Sequence, residues 1–192
     1  MGTTYCRLIS RSISSANRLW LLFVVLSWMA QPNLAQRPLD QLLVYGDSFT
    51  FSVKEPPDWK GDTANAEKFQ SNILLHEIAQ PPESSSGLIR IRLNDKVDEN
   101  TLADLEEDMR GYKAQYPEVK FEELAIKHPS YRCIAKVFFV PGKFYEYVAY
   151  VNPGSGKPFL FSVSMTSQKS EASAKELEAY IAAVKSLRLL KP

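Results

Sequence analysis

Between Phe121 and Ser167 the chain runs through four strand-patterned segments whose connections are too short to carry a parallel crossover. The segments span 121–127, 131–140, 144–151 and 159–167, linked by His128-Pro129-Ser130, Pro141-Gly142-Lys143 and residues 152–158. A crossover to a parallel neighbour takes about a dozen residues, so these segments must form an antiparallel meander. Several are apolar on both faces. In the third, Tyr145, Tyr147 and Val151 point one way and Phe144, Val148 and Tyr150 the other. Continuous apolarity of that kind requires a cover on each face of the sheet.

Two helical patterns supply the covers. In the first, Leu102, Leu105, Met109, Tyr112 and Tyr116 make one apolar stripe that begins at a Thr101/Asp104 capping pattern and ends at Pro117. Asp104, Glu106, Glu107 and Asp108 read as its wet face. The second spans 171–189 and carries Leu177, Ile181, Val184 and Leu187, with Ser173 and Glu176 spaced as a capping box. Upstream, Leu42-Leu43-Val44-Tyr45 and Phe49-Thr50-Phe51-Ser52-Val53 flank the turn pair Gly46-Asp47 and predict a hairpin. Residues 54–68 read as a loop with one helical turn near Ala64, and strands follow at 71–79 and 88–93. Arg90 and Arg92 alternate with Ile89, Ile91 and Leu93, which puts both guanidinium groups on the face away from the aliphatics. The order is hairpin, two strands, helix, four-strand meander, helix. It predicts an α+β class, an antiparallel sheet sandwiched between helices, in one domain over 36–192 with no internal repeat.

The start of the chain differs from this. Residues 1–35 hold Arg7, Arg11 and Arg18 and no acidic residue, and the apolar run 19–30 is 12 residues long. That is the length of a secretory h-region and short of the ~20 residues a membrane-spanning helix needs. Cleavage is expected after Ala35, where Pro32 breaks the helix and a small residue ends the signal, which sends the mature chain to a periplasmic or extracellular site. Loss of the three arginines leaves 20 basic against 22 acidic residues, a net charge of −2 for residues 36–192. So small a charge does not concentrate a protein on nucleic acid. Cys133 is then the only cysteine, so no internal disulfide forms.

Phe49-Thr50-Phe51-Ser52-Val53 followed by Pro57-Asp58-Trp59 resembles the Phe-Ser-Phe and Pro-x-Gly-Trp opening of the PsbP-like and DcrB-like exported proteins. The end of the last helix, Val184-Lys185-Ser186-Leu187-Arg188-Leu189, also looks like theirs. The resemblance covers residues 43–189 in element order and departs at Asp58, where the family commonly has Gly. It implies a PsbP-like α/β/α sandwich and a role as assembly factor, adaptor or chaperone-like binding module. It carries over no catalytic residue.

Four motifs suggest sharper chemistry. Gly46-Asp47-Ser48 resembles the first block of GDSL-type hydrolases, in which that serine is the nucleophile. A serine needs a base and a group to orient it, and the only histidines, His76 and His128, lack the late Asp-x-x-His spacing. Gly154-Ser155-Gly156-Lys157 lacks the first Gly and the final Ser/Thr of a phosphate-binding loop, and it joins two strands. Two separated histidines and one cysteine give no metal-ligand spacing, and Cys133, in phase with Ala135, Val137 and Phe139, reads as a small hydrophobe. Eight aromatic residues between Phe138 and Phe161 read as sheet core, with an aromatic-lined cleft for an apolar ligand or an extended peptide as the alternative. The expectation is an exported, non-enzymatic binding, adaptor or chaperone-like protein. It uses no cofactor, metal or nucleic acid and partners another exported or membrane protein. A carrier of an apolar molecule or lipid is the alternative, and a hydrolase using Ser48 stands behind both. No catalytic, cofactor-binding or metal-binding residue is assigned.

Overall fold

Strand alternation in register builds the centre of the molecule. The computed structural model describes residues 41–99, 101–168 and 170–191, so the expected leader and its cleavage point lie outside the described residues. The meander is present: β7 (Arg132–Val140), β8 (Phe144–Asn152) and β9 (Phe159–Gln168) pair antiparallel in sequence. Strand β5 (Leu88–Asp95) joins β9 along its whole length, Leu88 opposite Thr166 and Asp95 opposite Phe159. Strands β4 (Ile73–Glu77) and β3 (Trp59–Asp62) extend one edge and β6 (Lys120–Glu123) closes the other, giving the order β3-β4-β5-β9-β8-β7-β6. The predicted hairpin, β1 (Gln41–Tyr45) and β2 (Thr50–Lys54), belongs to a separate three-stranded sheet completed by β10 (Arg188–Lys191).

The two helices take opposite faces of the large sheet, as the two-faced apolar pattern requires. Helix α1 (Thr101–Gln115) buries Leu105 against Phe138, Val140, Val148, Tyr150 and Leu160. Helix α2 (Ala174–Ser186) buries Tyr180, Ala183 and Val184 against Ile89, Ile91, Phe161, Val163 and Met165. The predicted capping box opens α2: Glu176 N donates to Ser173 Oγ at 3.2 Å, and Ser173 N donates to Glu176 Oε2 at 2.8 Å.

Four element boundaries differ from the sequence reading, each for a physical reason. The last helix stops at Ser186 instead of Leu189, because Leu187 turns to extended backbone (ψ 134°) and Leu189 pairs with Phe51 in β10. A Leu-Arg-Leu-Leu run fits either period, and pairing of Arg188 and Leu189 with β2 decides for the strand after Leu187. Strand β6 ends at Glu123 rather than at 127, since the chain crosses the sheet edge there: Phe121 packs with α1 while Ile126 is buried in the α2-side core. Strand β3 lies inside the stretch read as loop, and the helical turn there is a 3-10 turn at Ala66–Phe69. The stretch expected as strand over 71–79 is cut to Ile73–Glu77.

Candidate functional site

Helix α1 covers only part of its face of the sheet. It lies over β7 and β8, and the same face of β5 and β9 carries polar side chains where the α2 side carries aliphatics. Register sets Arg90 opposite Ser164 and Arg92 opposite Ser162, while Ile89, Ile91, Val163 and Met165 alternate with them into the other core. The uncovered strip and the flank of α1 enclose a well of about 230 Å³, lined by Arg90, Arg92, Asp108, Tyr112, Glu146 and Ser164 among others.

Hydrogen bonds and one ion pair join three elements across the well. Arg90 Nη2 donates to Glu146 Oε1 at 2.7 Å and to Thr166 Oγ1 at 3.2 Å. The other oxygen of Glu146 accepts from the Tyr112 hydroxyl of α1, and Asp108 accepts from the hydroxyl of Tyr150. Burial raises both phenols above their ordinary range, and the facing carboxylates raise them further, so both stay protonated donors. Burial also raises the Asp108 carboxyl, against the lowering effect of the Tyr150 bond. These bonds tie α1 to β8 from one side of the well.

Arg90 also lines a wider groove of about 740 Å³ at the end of the β5/β9 pair. Its walls are a 3-10 turn (Pro82–Ser84) with the serines after it, the end of β9, and the first turn of α2. Hydroxyls and carboxylates dominate: Ser86 Oγ donates to Glu176 Oε1 at 2.8 Å, and Ser85 Oγ is shielded from solvent with no hydrogen-bond partner among the described residues.

The motifs weighed in the sequence lie elsewhere. Ser48 is exposed in the β1/β2 bend, and the Phe49 ring packs over Gly46, 2.3 Å from where a Cβ would be, so a larger residue there would displace the ring. Neither histidine serves Ser48: His76 Nδ1 contacts Gln80 O at 2.7 Å, and His128 Nδ1 accepts from the backbone N–H groups of Ser130 and Tyr131 at 3.1 and 2.9 Å. The 154–157 segment is a surface connection between β8 and β9. Cys133 is a half-buried free thiol whose pKa burial pushes up to about 11, the behaviour of a small hydrophobe. Among the described residues no group of three metal-ligating side chains forms.

Strand alternation divides the aromatic residues of 138–161 between the two faces. Phe138 packs edge-on to Tyr112 and Phe121, with centroids 5.0 Å away in each case, on the α1 side. Phe161 meets Phe51 at 5.2 Å on the other side. Phe138 and Phe161 thus fill opposite sides of the core and share no cleft. The acidic face of α1 needs a correction too: Glu106 and Glu107 are exposed, but Asp104 is buried, and its Oδ1 accepts from Val97 N at 3.0 Å to hold the chain entering the helix. Sequence reasoning found Arg90 and Arg92 on their face but missed Ser162, Ser164 and Glu146. The alternation Ser162, Ser164, Thr166 was visible, but its neighbour was not, because only the pairing of β5 with β9 brings the two polar rows together.

No protein-family model and no curated protein matches the chain. Among solved structures, LpqN of Mycobacterium tuberculosis, described as involved in cell envelope biogenesis, is similar with a TM-score of 0.52 and 15% identity over 79% of this chain and 91% of that one. The solution structure of cyanobacterial PsbP from Synechocystis sp. PCC 6803 is similar with a TM-score of 0.48 and 8% identity, over 84% of this chain and 99% of that one. The α+β fold of this chain, an antiparallel sheet between two helices, is one it shares with LpqN, and it is the arrangement that the PsbP-like resemblance implied.

Proposed function

We propose that the chain is an exported, non-enzymatic binding module whose polar cleft takes a hydrophilic ligand or a polar segment of another exported or membrane protein. The observation that carries this reading is the strip of β5 and β9 left open by α1, a concave surface with convergent donors from Arg90, Arg92 and Ser164. The chemistry of the same residues speaks for binding. Glu146 is held by Arg90 and Tyr112 and Asp108 by Tyr150, so each carboxylate already has a donor, and neither Ser162 nor Ser164 in the well donates to a carboxylate among the described residues. An apolar carrier fits less well, because Phe138 and Phe161 are fully buried in packing contacts.

Export is supported by the leader expected over residues 1–35, and an envelope setting by the fold shared with LpqN, a protein involved in cell envelope biogenesis. No helix of the described residues is long and apolar enough to cross a membrane. Native mass spectrometry of protein purified gently from its own host tests the reading. The expected mass begins at Gln36, with a hydrophilic companion or none. A retained lipid would favour the apolar carrier, and a mass beginning at Met1 would contradict cleavage.

A further inference from the structure

A count of spent and unspent donors in the narrow well selects a ligand chemistry. A guanidinium carries five N–H donors. Arg90 commits Nη2 to Glu146 and Thr166, and Arg92 reaches only the carbonyl oxygen of Phe69, at 3.4 Å. Arg92 forms no ion pair among the described residues although it is half-buried. Ser162 accepts from Asn94 Nδ2 at 3.0 Å and keeps its O–H to give, and Ser164 has its hydroxyl unspent among the described residues. On the opposite wall both Glu146 oxygens are engaged, by Arg90 and Tyr112, and one Asp108 oxygen by Tyr150, which leaves Asp108 Oδ1 as the open acceptor. The uncommitted donors of Arg92, Ser162 and Ser164 outnumber it inside about 230 Å³.

We propose that this well binds a small molecule through an oxyanion, a carboxylate or phosphate group held by Arg92 and Arg90 and by the hydroxyls of Ser162 and Ser164. The proposal rests on the reading of the cleft as a binding surface. The rigid fork of a guanidinium matches an oxyanion in two parallel hydrogen bonds; Arg92 keeps such a pair open, and Arg90, with Nη2 committed, adds its remaining N–H donors and its charge to the same space. Asp108 is the opposing charge on the far wall, at the edge of the well, where Tyr150 donates to it.

The test is a titration of the arginine Nε–H resonances with inorganic phosphate and with succinate at constant ionic strength. Saturable shifts of Arg90 and Arg92 with either anion support the site. Arg92→Gln should weaken binding about tenfold or more, the scale of one charge-assisted hydrogen bond. Asp108→Asn should tighten it, and exposed Arg132→Gln should leave it unchanged. Vesicles of phosphatidylcholine with and without phosphatidic acid distinguish the source: Arg92-dependent sedimentation only with phosphatidic acid assigns a lipid headgroup, and binding of the free anions alone assigns a soluble ligand. Shifts that do not saturate, or that persist in a folded Arg92→Gln protein, overturn the oxyanion site. A hydrophilic companion retained in the native mass spectrum would then still support the binding module, whereas a retained lipid without an anionic headgroup would remove both.

Discussion

Asp58 holds a backbone φ of 66°, in the left-handed region that favours glycine, at the one position where the chain departs from the PsbP-like opening. Trp59 N donates to Pro56 O at 3.0 Å, so Asp58 is the third residue of a tight turn whose second residue is Pro57, the place where a positive φ is wanted. The sequence showed the departure, and only the backbone shows why a glycine would fit. Asp58→Gly is expected to leave stability within about 1 kcal/mol, and Asp58→Val to cost about 1–2 kcal/mol, because a branched Cβ resists that conformation. Urea denaturation of the two variants checks the difference. His128 is the second informative residue. Burial and the neighbouring Arg188 guanidinium hold its pKa below the ordinary 6.5, and its Nδ1 must stay unprotonated to accept from Ser130 and Tyr131. In the folded state it binds its proton less tightly than in the unfolded chain. Its contribution to stability is therefore present above 6.5 and lost as pH falls through its lowered value. His128→Asn should flatten that acid limb in denaturation curves recorded from neutral pH downward.

At the level of elements, local chemistry and tertiary pairing contributed unequally to what could be read. The capping box of Ser173 and Glu176 is a local signal and stands where the spacing put it. Ser173→Ala is expected to cost about 1 kcal/mol, the usual worth of a helix N-cap, measurable as a lowered thermal midpoint. The other end of α2 was illegible because Leu187 and Leu189 satisfy a helical stripe and a strand equally, and pairing of Arg188 and Leu189 with β2 makes the run after the Leu187 cap a strand. Strand β3 has four residues and only Trp59 of them buried, so its pairing with β4, not its own pattern, defines it. The meander was readable because its short connections leave antiparallel pairing as the one available geometry. The well was half readable. Arg90 and Arg92 declare their face by alternation, but Glu146 lies 56 residues away in a run of apolar neighbours, and the fold alone brings it to Arg90.

For the molecule as a whole, the asymmetry between the two sheet faces carries the functional account. One face is sealed by α2 over aliphatic strands, and the other is half covered by α1, with hydrogen-bonding groups on the open half. Removing the side chains of Arg92, Ser162 and Ser164 should leave the fold intact and change what it binds, because none of them belongs to the core or pairs a buried charge. The most direct measurement is site-specific photo-cross-linking in the native host. One photoreactive residue replaces exposed Ser84 in the groove that meets the well at Arg90, and a second replaces exposed Glu122 on the β6 edge. A discrete adduct from position 84, absent from position 122 and lost on Arg90→Gln, is the expected result. Equal capture at both positions, or capture from 122 alone, would contradict the polar cleft as the binding surface.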